Sequence, residues 1–195
     1  FHEFSKYVRG KWFTILYLRL KHNLKKNSRS GSKKNISFHY DLGNSFYEKW
    51  LDESMTYSSA MFKDPTDNLH KGQINKYENL ANITGVKEND KILEIGCGWG
   101  GFSSFLAKKY SANVTAITIS KKQYEKAKQK IYDDKLTDKV DVKLLDYRNI
   151  NGKYDKIVSI EMIEAVGYQF IPQYFSKISS LLKENGLVAI QGITY

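Results

Sequence analysis

Only one cysteine, Cys97, occurs in the 195 residues, which excludes an internal disulfide and is compatible with a reducing compartment. Acid is nearly absent from the first fifth of the chain, where residues 1–39 carry ten Lys or Arg against Glu3 alone. The whole chain stands at +10, so the remainder is close to neutral. A basic head on a neutral body points to an anionic partner, either lipid or nucleic acid. Long apolar runs are missing as well. The longest uncharged run in the head, residues 12–18, falls far short of the ~20 residues that span a bilayer. The head is therefore not a transmembrane helix, and a secretory signal would carry less charge in its middle. There is no initiating Met, no internal repeat, and the final Ile193-Thr194-Tyr195 reads as a strand end. The chain is expected to be a fragment of a longer protein.

What the head does contain is a helical period. Val8, Trp12, Leu16, Leu20 and Leu24 recur every four residues, with Phe13 and Tyr17 beside them. Arg9, Lys11, Arg19, Lys21, Lys25 and Lys26 surround that stripe. Two readings fit. One is an interfacial helix with its aromatics among lipid headgroups, each nearby cation adding roughly 1 kcal/mol on anionic lipid. The other is an ordinary helix packed on its own domain. Residues 27–35 follow as a polar, glycine-containing linker. Aromatics then crowd residues 39–47 and 55–62, in stretches too polar for a simple core helix. Asp67 is positioned to cap a helix reaching about residue 83, with Leu69, Ile74, Tyr77, Leu80 and Ala81 on its buried side.

Residues 91–102, Lys-Ile-Leu-Glu-Ile-Gly-Cys-Gly-Trp-Gly-Gly-Phe, carry the clearest chemistry. Ile92, Leu93 and Ile95 read as a buried strand, and Gly96, Gly98, Gly100 and Gly101 follow at once. Glycines there let the backbone turn sharply and approach a ligand, and the helix beginning at Phe102 turns its free N–H groups toward it. Gly96, Gly98 and Gly101 satisfy a dinucleotide fingerprint, which alone says little. A nicotinamide site would want an acid about 20 residues on, at the end of the second strand. Val114-Thr-Ala-Ile-Thr-Ile-Ser-Lys121 offers none. Cys97 has no histidine close behind it and reads as a loop filler, not a nucleophile.

From residue 91 the pattern alternates: strands at 91–95, 113–119, 140–145, 156–160 and 187–192, helices at 102–109, 121–132 and 170–182. That is an α/β fold with a parallel, helix-covered sheet and its ligand at the carboxyl ends of the strands. The expected division is a basic helix and linker over 1–35, a helical cap over 36–85 and a cofactor-binding core over 86–195.

Glu94-x-Gly96-x-Gly98-x-Gly100 resembles motif I of class I S-adenosylmethionine (SAM) methyltransferases. Six stretches then occur in order: His39-Tyr40-Asp41-Leu42-Gly43-Asn44, Met55-Thr56-Tyr57-Ser58, Gly96-Cys97-Gly98-Trp99-Gly100-Gly101, Thr118-Ile119-Ser120-x-x-Gln123, Asp146-Tyr147-Arg148 and Glu161-Met162-Ile163-Glu164-Ala165-Val166-Gly167. Together they resemble the cyclopropane-fatty-acyl-phospholipid synthase family, which includes mycolic acid cyclopropane synthases and fatty-acid methyltransferases, over residues 39–195.

The resemblance implies a Rossmann-like class I SAM-methyltransferase sheet with helices on both faces, preceded by a helical segment. It also implies that the last sheet strands and part of the acyl pocket lie beyond residue 195. The implied activity is transfer of the SAM methyl(ene) to the cis double bond of a phospholipid acyl chain. Gly96, Gly98 and Gly100, with Glu94, would pass beneath the methionine part of SAM. Tyr57 and Ser58 would close over the cofactor, Thr118 and Gln123 would hold its ribose, and Asp146 and Tyr147 its adenine. Glu164 matches a glutamate that helps hold bicarbonate, the implied second ligand and general base. His39 and Tyr40 match residues lining that pocket, and the faces of Tyr40, Tyr57 and Phe170 are candidates to steady a carbocation. No metal is implied.

Three positions depart from the family pattern. Ser59 stands where Cys is usual, Ala165 where His follows the glutamate, and Gln191 where His ends the fifth strand, while Ile193 is retained. Ser59 keeps its backbone N–H, and Gln191 keeps one amide donor without positive charge. These departures leave ring and methyl-branch products both open. The expected setting is cytoplasmic and peripheral, on an anionic inner membrane face, with a homodimer left open and no nucleic acid partner. Alternatives are a SAM methyltransferase with a polar small-molecule or RNA acceptor, and a catalytically silent membrane-binding protein. Intact glycines and Glu164 speak against the last.

Overall fold

The computed structural model describes residues 43–194. The basic head, the linker, His39 and Tyr40 lie outside the described residues. Five strands form one sheet: β1 (Lys91–Ile95), β2 (Asn113–Thr118), β3 (Val140–Leu144), β4 (Tyr154–Ile160) and β5 (Leu182–Gln191). They run parallel in the order β3-β2-β1-β4-β5. The order reverses at β1, whose neighbours are β2 and β4. A crevice at the carboxyl ends therefore opens between diverging connections there.

Alternation along each strand divides two cores between the faces. Ile92, Val114, Ala116, Val140 and Val158 pack under α1 (Leu69–Thr84), α2 (Gly101–Tyr110) and α3 (Lys121–Asp133), through Tyr77, Leu80, Phe102, Leu106, Ala127 and Ile131. Leu93, Ile95, Ile117 and Ile157 pack on the opposite face against α4 (Ile171–Leu181), through Tyr174, Ile178 and Leu181. Helix α1 therefore shares the core of the sheet. A one-turn helix at Asn44–Tyr47 precedes it.

The sequence-derived elements agree with these within a residue or two, and the exceptions have physical causes. Asn68, not Asp67, caps α1, its side chain accepting from Lys71 N at 2.8 Å. Asp67 instead accepts from Lys63 N and from Asn75 Nδ2. Leu69, expected on the buried side, is exposed in the first turn. The last strand starts earlier because Leu182 pairs with Tyr154 before a register shift, and regular pairing resumes at Leu187. Phe170 belongs to a 3-10 turn before α4, packs against the core on the α4 face and does not line the carboxyl-end cavity. Among the described residues no helix is long and apolar enough to cross a membrane.

Candidate functional site

A cavity of about 860 Å³ opens above the carboxyl ends of β1, β2 and β4. Its floor is the turn from β1 into α2. Gly96 N and Cys97 N both donate to Ile117 O, at 2.9 and 3.0 Å, so β2 holds the turn in place. Gly98 has φ +53°, and a Cβ there would meet no atom of the described residues within 4 Å because the position faces the cavity. Gly101 is glycine for the opposite reason. A Cβ on it would stand 2.7 Å from Tyr77 Oη and 2.9 Å from Ser54 O. Burial pushes the Cys97 thiol well up, so it stays protonated and inert, as its filler reading implies.

The segment 50–59 covers one side of the cavity, and the crowded aromatics explain how. Tyr47 packs against Trp99 of the glycine turn, at 5.1 Å between centroids, and against Tyr57 at 5.3 Å. Trp50 closes on Tyr57 at 5.6 Å, and Trp99 Nε1 donates to Asn44 Oδ1 at 2.9 Å. Beneath the rings, Asp52 accepts from Ser54 N, Ser54 Oγ and Thr56 N and pairs with His70 Nδ1 at 2.8 Å. Burial pushes the Asp52 carboxyl up, but these hydrogen bonds outweigh it and hold it below its ordinary value. Helix α1 secures the rest. Gln73 Nε2 donates to Ser58 O at 2.8 Å and Lys76 Nζ to Ser58 Oγ at 2.5 Å. Burial pulls the Lys76 ammonium down to about 8, against the pull of Glu161, Asp52 and Glu94. Gln73 Oε1 is buried without a partner among the described residues.

Across the cavity, Thr118 Oγ1 and Gln123 Oε1 share a 2.8 Å hydrogen bond at the end of β2. Asp146 caps the 3-10 turn Tyr147–Asn149, accepting from Arg148 N and from the Arg148 guanidinium. Thr118, Gln123, Asp146, Tyr147 and Arg148 line the cavity. Tyr57, Ser58, Glu94, Gly96 and Gly98 line it too, so the structure gathers those expected cofactor positions into one space. Gly100 starts the α2 turn behind it, with φ +84°.

The expected catalytic set is arranged differently from its reading. Glu164 is exposed at the rim and accepts from Ile193 N at 2.6 Å. The donors assigned to a bicarbonate point instead at Glu161. Its Oε1 accepts from Ser59 N at 2.9 Å, Ser59 Oγ at 2.6 Å and Gln191 Nε2 at 2.9 Å. Burial pushes this carboxyl up, yet the Ser59 and Gln191 hydrogen bonds prevail and hold it below its usual value. Glu161 and Arg148 stand within the sequence motifs with no role assigned to them there, and Asp52, Gln73 and Lys76 are functional positions that the motifs do not include. The available signal was Gln73 and Lys76 on the same helical face as Tyr77 and Leu80, since polar groups on a buried face need partners.

Glu94 is 3 % exposed, and its Oε2 accepts from Ser103 Oγ. Burial raises its carboxyl to about 7, against the Ser103 hydrogen bond and Lys76. A folded-state pKa raised above the unfolded value favours folding below the unfolded value and loses that advantage as pH rises through the folded one. Stability should therefore fall between about pH 4.5 and 7, by on the order of 3 kcal/mol from this group. Glu94→Gln should flatten that stretch of the curve in denaturant melts recorded at pH 5 and pH 8.

A doubly wound parallel sheet, a glycine turn entering a helix at its switch point and a cavity above it define a class I methyltransferase fold. More narrowly, the chain belongs to the mycolic acid cyclopropane synthetase family, whose model matches residues 27–195. It is 42 % identical over 161 residues to a probable fatty acid methyltransferase of Pseudomonas putida, covering 82 % of this chain and 41 % of that protein. It is 36 % identical over 155 residues to the cyclopropane-fatty-acyl-phospholipid synthase of Escherichia coli K12, covering 80 % of this chain and 39 % of that one. Among solved structures it is similar to mycolic acid cyclopropane synthase CmaA1 complexed with SAH and CTAB. The TM-score there is 0.75 at 30 % identity, over 77 % of this chain and 53 % of that one. The chain thus spans about two fifths of the length of these curated relatives.

Proposed function

We propose that the protein transfers the methyl group of SAM to the cis double bond of an unsaturated phospholipid acyl chain. The observation that carries this reading is one cavity whose lining joins the glycine turn and polar side chains to apolar ones, among them Leu51, Met55, Leu69 and Ile193. Two features fit SAM at the glycine turn. The open space over Gly98 leaves room for a ligand against the backbone, and Gln73 Oε1 in the wall is a buried acceptor that the described residues leave unused. When bound there, SAM supplies an electrophilic methyl group. The complex of CmaA1 with SAH supports the same choice.

The chain's own residues would do the following. Gly96, Gly98 and Gly100 shape the floor, and Tyr57 and Ser58 cover it. Thr118, Gln123, Asp146 and Tyr147 grip the nucleoside end. An alkene is a weak nucleophile, so the main task is alignment with the methyl group in a space without water. The aromatic cover excludes water, and the Tyr57 face can steady positive charge. Glu164 orders the chain at Ile193 over the apolar mouth. His39 and Tyr40 belong to the same site in this reading.

The product reading includes a methylene branch, or with a reductant a methyl branch, beside a cyclopropane ring. Gln191 and Ala165 replace histidines, and the Pseudomonas putida relative is named a probable fatty acid methyltransferase. The basic residues of 1–26 would hold the enzyme on the anionic cytoplasmic face of a membrane. Co-sedimentation with anionic vesicles should weaken as salt shortens the Debye length, about 10 Å at 0.1 M. Binding indifferent to salt and lipid charge would contradict that attachment. To test the transfer itself, the full-length protein is incubated with methyl-labelled SAM and vesicles of unsaturated or fully saturated phospholipid. Label should enter only the unsaturated lipid, and equal labelling of both would overturn the reading.

A further inference from the structure

We propose that Glu161 is a built-in general base that removes the proton released in the transfer, an inference that rests on the alkene reading above. Four carboxylates of the described residues line the cavity: Glu94, Asp146, Glu161 and Glu164. Glu94 is buried against Ser103, Asp146 is engaged by the Arg148 guanidinium, and Glu164 sits at the exposed rim holding Ile193 N. Glu161 alone of the four combines partial burial with three neutral donors, all of them on Oε1. Its Oε2 accepts nothing from the described residues, which leaves that oxygen available to a proton on carbon. Against the push of burial, these donors and the nearby Lys76 charge hold the carboxyl below its usual value, so it stands ionised. A C–H beside a carbocation is acidic enough to give its proton to so weak a base.

The backbone supports the same assignment. Glu161 has φ +48°, a left-handed conformation that glycine takes freely and glutamate only at a cost of order 1 kcal/mol. Its N–H is fixed to Gln191 O at 2.8 Å, and its side chain bridges Ser59 and Gln191 at the cavity wall. Strain of this kind persists where surrounding structure overrides it, here at the end of β4 beside the cavity. Ser59 and Gln191 are then positioning residues for the base.

The chemistry balances without another reagent. The alkene π electrons form a bond to the methyl carbon, the C–S bond breaks, and S-adenosylhomocysteine leaves with that pair. The resulting carbocation gives one C–H proton to Glu161 Oε2. If the proton comes from the transferred methyl, the freed pair closes a three-membered ring or forms an exocyclic methylene double bond after a hydride shift. The carboxyl then returns the proton to water.

The test uses the full-length protein with methyl-labelled SAM and unsaturated phospholipid vesicles, in buffer stripped of carbon dioxide or supplied with bicarbonate. Wild-type turnover should be the same in both. Glu161→Gly relieves the backbone strain, so it should fold and bind SAM within threefold of wild type by calorimetry. Its turnover in stripped buffer should fall by roughly 10²-fold or more, the usual worth of a general base. Bicarbonate should restore a measurable share by entering the vacated cradle. Glu161→Gln should be equally slow but not restored, because the amide fills the cradle. Wild-type turnover that requires bicarbonate, undiminished Glu161→Gly turnover in stripped buffer, or no recovery of the glycine variant would overturn the proposal alone. A wild type that binds SAM but labels no acyl chain in either buffer overturns the alkene reading and this inference with it.

Discussion

Gly98→Val is expected to lower SAM affinity by on the order of a hundredfold, about 2.7 kcal/mol, as read by calorimetry. The expectation follows from what surrounds the position. A Cβ at residue 98 meets no atom of the described residues within 4 Å and projects into the cavity, so the valine methyls would occupy ligand space. The φ of +53° adds backbone strain that a β-branched residue tolerates poorly. Gly98→Ala carries most of the strain and little of the bulk, and it separates the two effects. Affinity should fall in the order wild type, alanine, valine, with thermal stability of the unliganded protein falling far less than affinity. Unchanged affinity in Gly98→Val would remove the cofactor from this turn.

Asp52→Ala should cost about 3–5 kcal/mol of stability in chemical denaturation, because several buried donors lose one shared acceptor at roughly 1–3 kcal/mol each. The Asp52 side chain is 2 % exposed and satisfies Ser54 N, Ser54 Oγ, Thr56 N and His70 Nδ1 together. Alanine would leave those donors without an acceptor. The covering segment hangs from this carboxylate, so SAM affinity should drop as well, and Asp52→Asn should recover part of both losses. Because the folded-state pKa lies below the ordinary value, the Asp52 contribution is present above about pH 4 and is lost in acid as pH falls through the folded value. A loss under about 1 kcal/mol in Asp52→Ala would show that the cover is held by its aromatic contacts instead.

The sheet was legible because its signals are local. Ile92-Leu93-Glu94-Ile95 followed by alternating glycines defines strand, turn and helix within twelve residues, and the missing acid after β2 removed the nicotinamide reading. The cover was less legible. Tyr47, Trp50, Tyr57 and Trp99 announce themselves as aromatics, but their contacts span up to 55 positions along the chain and depend on tertiary packing. Asp52 and Lys76 look like ordinary surface charges in sequence, and only burial reveals their partners. The pair Glu161 and Glu164 shows the limit most clearly. Both acids lie in one short motif, and a 3-10 turn at Ile163–Ala165 follows a left-handed residue between strand and turn. That geometry turns Glu161 toward Ser59 and Gln191 and leaves Glu164 at the rim, reversing the emphasis that the motif carried.

The most direct measurement is NMR of the phospholipid recovered after incubating the full-length protein with SAM labelled with carbon-13 at the methyl group. The account predicts labelled carbon bonded only to carbon, at the former double bond of the acyl chain, as ring methylene or exocyclic methylene. Label found on oxygen or nitrogen of the headgroup, or absent from the lipid while SAM still binds, would contradict it.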